Sequence, residues 1–213
     1  FFRTAAPQDH RQHLALACLA GELIPGSASG RGGAVTLTAG NILAGDISSA
    51  STGGSGGAID LDSGADIAAG SMAFGSIAAL ISDPLTADAV GIIDILGLAP
   101  NGADTQVGTQ NRPDNLLLPD AIDTAGGDIT LSVGNAYGFA SDLTTGGGDF
   151  RLDGLNAITV AAPVQTSGGN VSVESLSGNL ILNAPLTAGD PVAASANVDL
   201  HATNADLILN SDV

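Results

Sequence analysis

The sequence predicts an all-β protein: a right-handed parallel β-helix (β-solenoid) with coils of about 21 residues and a short N-terminal helical or extended segment. Three observations carry this. The hexapeptides "GGDITL", "GGDFRL" and "GGNVSV" begin at Gly126, Gly147 and Gly168, a step of 21 residues each time. Each reads as a tight turn feeding a half-buried strand, because two glycines and a small polar residue precede an apolar, polar, apolar alternation. Finally, no helical pattern separates the copies, so they cannot be βαβ units; stacked coils of short parallel strands use such a length naturally, and parallel crossovers favour the right hand.

The elements follow in chain order. Residues 1–31 read as a cap or arm, in which "HLALACLAGELI" (13–24) suggests a short amphipathic helix covering one end of the solenoid, with a weaker flavour of a retained targeting segment. The chain starts at Phe1 rather than Met, which points to a processed chain or a piece of a longer one. Residues 32–76 contain the copies "GGAVTL" from Gly32 and "GGAIDL" from Gly56, and read as β-helix coils. Residues 77–125 break the pattern, with apolar runs followed by a polar, Pro-punctuated stretch, and hold either degenerate coils or an insertion from one edge. Residues 126–213 return to coils, ending in the degenerate copy "SANVDL" from Ser195.

Aligned on the hexapeptides, Val35, Ile59, Ile129, Phe150, Val171 and Val198 form one apolar column, and Leu37, Leu61, Leu131, Leu152, Val173 and Leu200 a second. The residues between and after them are polar, so one face of the strand points inward and the other outward. A second strand follows in each coil: "ITVAAPV" from Ile158, "LILNAPL" from Leu180 and "LILNSDV" from Leu207 keep step with the first even where the spacing stretches to 27 residues. Length changes are absorbed in turns while strands keep their partners, as in solenoids generally.

Composition narrows the function. Net charge is −17, with no Lys, which disfavours nucleic acid and anionic lipid as partners. Nearly all the acid is Asp, a turn and cap former rather than a helix former. No apolar run is long enough to span a membrane as a helix, and the single Cys excludes an internal disulfide.

The repeat style of "GGAVTLTAGNILAGDI", "GGAIDLDSGADI", "GGNVSVESLSGNLILNAPLTAG" and "NADLILNSDV" resembles the filamentous haemagglutinin type of secreted β-helix protein, the surface adhesins exported by two-partner secretion in Gram-negative bacteria and cyanobacteria. The resemblance covers residues 32–76 and 126–213. It implies a right-handed parallel β-helix, export to the bacterial cell surface and a structural or adhesive role.

Asp128 and Asp149 stand one strand spacing apart at a coil corner, where they hold a cation, share a proton or splay into water; the solvated arrangement is favoured and calcium is the candidate ion. No other cofactor and no metal centre is expected. A carbohydrate-active β-helix enzyme would draw on Asp60, Asp62, Asp153 and Glu174 with Arg151 as base. Against this, Asp62, Asp153 and Glu174 lie in the outward column, and with Tyr137 the sole Tyr and no Trp a sugar-stacking groove is poorly supplied. No catalytic residues are therefore assigned. His10, His13 and Cys18 lack a further ligand for a metal site. "GGSGGAIDL" fails the calcium nonapeptide at Ala58 and Asp60, and the Thr36–Thr38 pair does not extend into an ice-binding array.

The ends carry the sharpest expectation. A solenoid ending in mid-strand presents unpaired backbone groups, so either the chain continues or the last coil stacks on the first coil of another copy, giving an open filament. Phe1, Phe2, Leu207, Leu209 and Val213 are the expected assembly residues. The alternatives are a non-polymerising adhesin fragment that binds a surface or glycan, with residues 77–125 as its contact face, and the enzyme above.

Overall fold

The computed structural model describes residues 11–13, 17–19, 32–51, 54–76, 84–118, 121–139, 142–189 and 196–213. These form a parallel β-solenoid, with no helix among them. Three faces run along it. The first is a nine-stranded sheet: Arg11–His13, Val35–Ala39, Ile59–Ser63, Leu85–Ala89, Thr105–Val107, Ile129–Val133, Phe150–Gly154, Val171–Ser175 and Val198–Ala202, each paired in parallel with the next. The step along this sheet varies from 20 residues (Leu85 to Thr105) to 27 (Val171 to Val198) and averages roughly 24. The 21-residue step holds only from Ile129 through Val171. Coil length is therefore not a constant of this fold; the register within the sheet is.

That register places the two apolar columns as the alternation requires. Val35 pairs with Ile59, Ile129 with Phe150, Phe150 with Val171, and Val171 with Val198. Leu85 and Thr105 fill the gap in that column and Ala87 and Val107 the gap in the next. The central members are wholly buried, and with them Phe74 and Phe150 are the bulkiest enclosed side chains. Few aromatics are needed, because each coil is a thin layer and Val, Leu and Ile fill it.

The second face contains Ala17–Leu19, Ile42–Ala44, Ile67–Ala73, Ile92–Ala99, Asn115–Leu118 and Ala136–Phe139, then Ile158–Val160, Leu180–Leu182 and Leu207–Leu209. The third contains Ile122–Asp123, Leu143–Thr144, Val164–Gln165 and Leu186–Thr187. In Ile67–Ala73 and in Ile92–Ala99 the corner between these faces is smoothed into one long strand; the far end of Ile67–Ala73 pairs with Ile47–Ser48 on one side and with that of Ile92–Ala99 on the other. Residues 84–118 thus supply strands to the same sheets as their neighbours, so the described part of the 77–125 segment is built of coils.

One expectation is corrected. The helix over 13–24 does not form in the described residues: Arg11–His13 pairs with Val35–Ala39, and Ala17–Leu19 with Ile42–Ala44. A preformed sheet edge offers ladder partners to the N–H and C=O groups of alternate residues of an incoming strand and buries its inward side chains, which together outweigh the helix propensity of an Ala- and Leu-rich stretch. Among the described residues no helix is long and apolar enough to cross a membrane.

Candidate functional site

The glycine pair explains the corner from which the rest is built. Ala125, Gly146 and Ser167 have positive φ, and the first glycine of each pair follows at φ +116°, +124° and +132° (Gly126, Gly147, Gly168), a region closed to other residues. A Cβ there would meet open space. The second glycine has the opposite reason: a Cβ on Gly148 would lie 2.3 Å from the carbonyl oxygen of Gly127, and one on Gly169 2.0 Å from that of Gly148. One glycine supplies backbone freedom and the other lets coils touch.

Two polar ladders flank this corner. Inside, Thr124, Thr145 and Thr166 are wholly buried and each hydroxyl donates to the carbonyl of the second glycine in its own coil (Gly127, Gly148, Gly169). Those of Thr124 and Thr145 also reach the Thr carbonyl of the next coil at 3.1 Å. Outside, Asp104 Oδ1 accepts the Asp128 N–H at 3.0 Å, Asp128 Oδ1 that of Asp149 at 2.8 Å, Asp149 Oδ1 that of Asn170 at 2.7 Å, and Asn170 Oδ1 that of Asn197 at 3.1 Å. Asp128 and Asp149 therefore each spend one oxygen on the backbone of the following coil, and Asp149 Oδ1 also accepts the Asn170 side-chain amide at 3.1 Å. Among the described residues no group of three or more His, Cys, Asp and Glu side chains is disposed to hold a metal ion. Asp104, which the hexapeptide alignment passes over, belongs to the ladder; it stands at the same offset before the first apolar column, ahead of Thr105.

The carboxylates weighed for catalysis fall into two groups on the outer side of the first face. Arg151 Nε meets Asp153 Oδ2 at 2.8 Å and its Nη2 lies 3.9 Å from Glu174 Oε2, while His201 Nδ1 lies 3.5 Å from Glu174 Oε1. The hydrogen bond and charge of Asp153 raise the guanidinium's proton affinity further, which leaves Arg151 committed as a cation rather than free as a base. Asp153 is less exposed than an outward column implies: it is buried, and its Oδ1 has no partner. Asp60 and Asp62 stand beside Thr86 and Asp88 in register. Burial, then the charges of Asp62 and Asp88, pushes the Asp60 carboxyl up. Asp88 is itself buried, because the turn after Val107 folds over it and gives its Oδ1 the N–H of Gln110 at 2.8 Å.

The chain matches no protein-family model, and no curated protein or solved structure matches it either. The function must therefore be argued from surfaces.

Two surfaces stand out. At one end, Val198–Ala202 and Leu207–Leu209 are the outermost strands of their sheets, with no described strand on their far side. Their apolar residues, fully enclosed in the preceding coils, open to solvent here: Leu207 is 43% and Leu209 52% exposed, Val213 is exposed, and Val198 and Leu200 are only partly covered. Phe1 and Phe2 lie outside the described residues, as does His10. On the side of the solenoid, a shallow apolar groove of about 380 Å³ runs where the second face turns into the third, between Asp46, Ile47, Ser71, Met72, Leu98 and Ala121.

Proposed function

We propose that this chain is a structural, non-catalytic segment of an extracellular bacterial filament or surface adhesin, joined to its neighbours end to end through the open faces of its coils. The observation that supports the reading is the stacking itself: every coil of the nine-stranded first face meets the next through an edge that matches it in register. Such an edge is a template for another parallel strand, and the head-to-tail contact it makes is heterologous and open. The resemblance of the repeats to filamentous haemagglutinin-type proteins supports the same setting. Arg151 held by Asp153 and Glu174 argues against a lyase-like base on the first face.

Electron microscopy with sedimentation across a concentration series tests this. The wild type forms filaments with a subunit repeat of roughly 4 nm, the span of nine strands about 4.8 Å apart. Leu207→Asp with Leu209→Asp, on side chains already half in water, leaves the subunit folded and abolishes the filaments. Monodisperse short rods of the wild type at high concentration would remove end-to-end assembly from consideration.

A further inference from the structure

The side of the solenoid carries an apolar surface that the columns do not use. On the second face Leu43 stands beside Ala68, Ala68 beside Asp94, and Asp94 beside Leu117, all pointing outward. Ile92 and Leu96 lie two positions to either side of Asp94 on the same strand. Leu43 is 54% exposed, Ile92 41%, Leu96 54% and Leu117 45%. Next along the strand from Leu96, Gly97 and the buried Leu98 line the groove, together with the buried Met72 and Ile47 and the exposed Asp46. Contiguous apolar surface of this kind on adjacent strands marks a contact site more often than an idle face.

The charges around it select the occupant. Asp94 sits within the patch and Asp46 in the groove wall. Asp66 and Asp114 border Ile92, Asp66 by accepting its N–H at 2.8 Å and Asp114 by donating its own to the Gly91 carbonyl at 2.7 Å. None of the four strands carries Arg, and the chain has no Lys. A second copy presenting this same acidic, lysine-free face is repelled here, as is an anionic bilayer, and the four strands offer no aromatic ring for a sugar. We infer that this lateral face binds an extended segment of a basic partner protein, its apolar side chains seated on Leu43, Leu96, Leu117 and the groove and its Lys or Arg residues facing Asp46, Asp66, Asp94 and Asp114. The inference is independent of end-to-end stacking, since the side remains open in a stacked rod.

The test uses the full chain and a short fluorescein-labelled peptide of alternating Leu and Lys, read by fluorescence anisotropy, with a Leu–Glu peptide and phosphatidylglycerol vesicles alongside. The Leu–Lys peptide binds, more weakly as salt rises, and the Leu–Glu peptide does not. Leu96→Ser with Leu117→Ser, both half-exposed and so compatible with folding, weakens binding by about tenfold or more. Asp46→Asn with Asp94→Asn weakens it severalfold and flattens the salt dependence. Asp128→Asn with Asp149→Asn, at the distant glycine corner, leaves it unchanged. The inference is overturned if the peptide fails to bind, if the serine variant binds as wild type does, or if the distant variant loses as much as the local one. Preferential binding to the vesicles, or lateral self-association that the serine variant abolishes, overturns it in favour of a membrane or a second copy.

Discussion

Between Thr124 and Asn170 the corner of the solenoid repeats every 21 residues, whereas the described strands of the first face that start at Ile59, Leu85 and Thr105 are spaced 26 and then 20 residues apart. Both regions nevertheless use one device. In the regular coils a buried Thr hydroxyl donates to the carbonyl of a glycine three residues on, and that glycine lies against the coil before it. In the earlier coil the buried Ser49 hydroxyl donates to the carbonyl of Gly57, eight residues on, at 2.7 Å, and Gly57 lies against Gly33. The spacing between donor and glycine has changed and the contact has not. What both regions share is a buried hydroxyl and a glycine without Cβ where backbones touch; the outward acceptor for the next coil's N–H belongs to the later coils, since Ala34 and Ala58 stand in its place in the earlier ones. The length of turn between them is free.

The comparison breaks hardest at the second glycine. Gly148→Ala places a Cβ against the backbone of Gly127, where nothing flexible can yield, and costs about 3 kcal/mol or more by chemical denaturation. Gly147→Ala, in open space but at φ +124°, costs about 1–3 kcal/mol through backbone strain alone. Equal losses at the two positions would show that steric contact between coils is not what the second glycine serves.

The buried hydroxyls sharpen it next. Thr145→Val keeps the shape but strips the donor from the Gly148 and Thr166 carbonyls, costing about 1–3 kcal/mol. Thr105, equally buried in the irregular region, stands in the apolar column between Leu85 and Ile129 with its hydroxyl unpartnered. Thr105→Val therefore stabilises, by about 1 kcal/mol. The same substitution in two regions should shift the midpoint in opposite directions; a loss at both would mean that Thr105 Oγ1 has a partner after all.

These residues also mark where the sequence could be read. Strict alternation over six hexapeptides exposed both apolar columns, because a period of two survives any change in turn length. The coils within 77–125 were ambiguous for a physical reason. Ile92–Ala99 runs through a corner, so its apolar residues form a near-continuous stretch with only Gly97 to mark the bend, and Thr105 replaces an aliphatic in the column. The same stretch hid the lateral patch: a run such as "IIDILGL" reads as a strand buried on both sides, whereas Ile92 and Leu96 face water. The burial of Asp88 depends on the turn after Val107, which no local pattern announces.

The smallest expected effect separates the two regions by charge. In the regular coils Asp128 and Asp149 each receive a backbone N–H, while near the other end Asp60 lies beside Asp62 and Asp88, partly desolvated. Its carboxyl is raised, so the folded state holds that proton at a higher pH than the unfolded chain does. Stability is therefore reduced when Asp60 is ionised and is recovered as pH falls through its folded value toward the ordinary carboxylate range. Asp60→Asn removes the penalty: its thermal midpoint lies slightly above wild type at neutral pH, and the difference closes on acidification. Asp149→Asn keeps an Oδ1 acceptor for Asn170, so it shifts the midpoint little. A difference for Asp60→Asn that widened as pH fell would reverse the sign and show that the ionised form of Asp60 stabilises the fold.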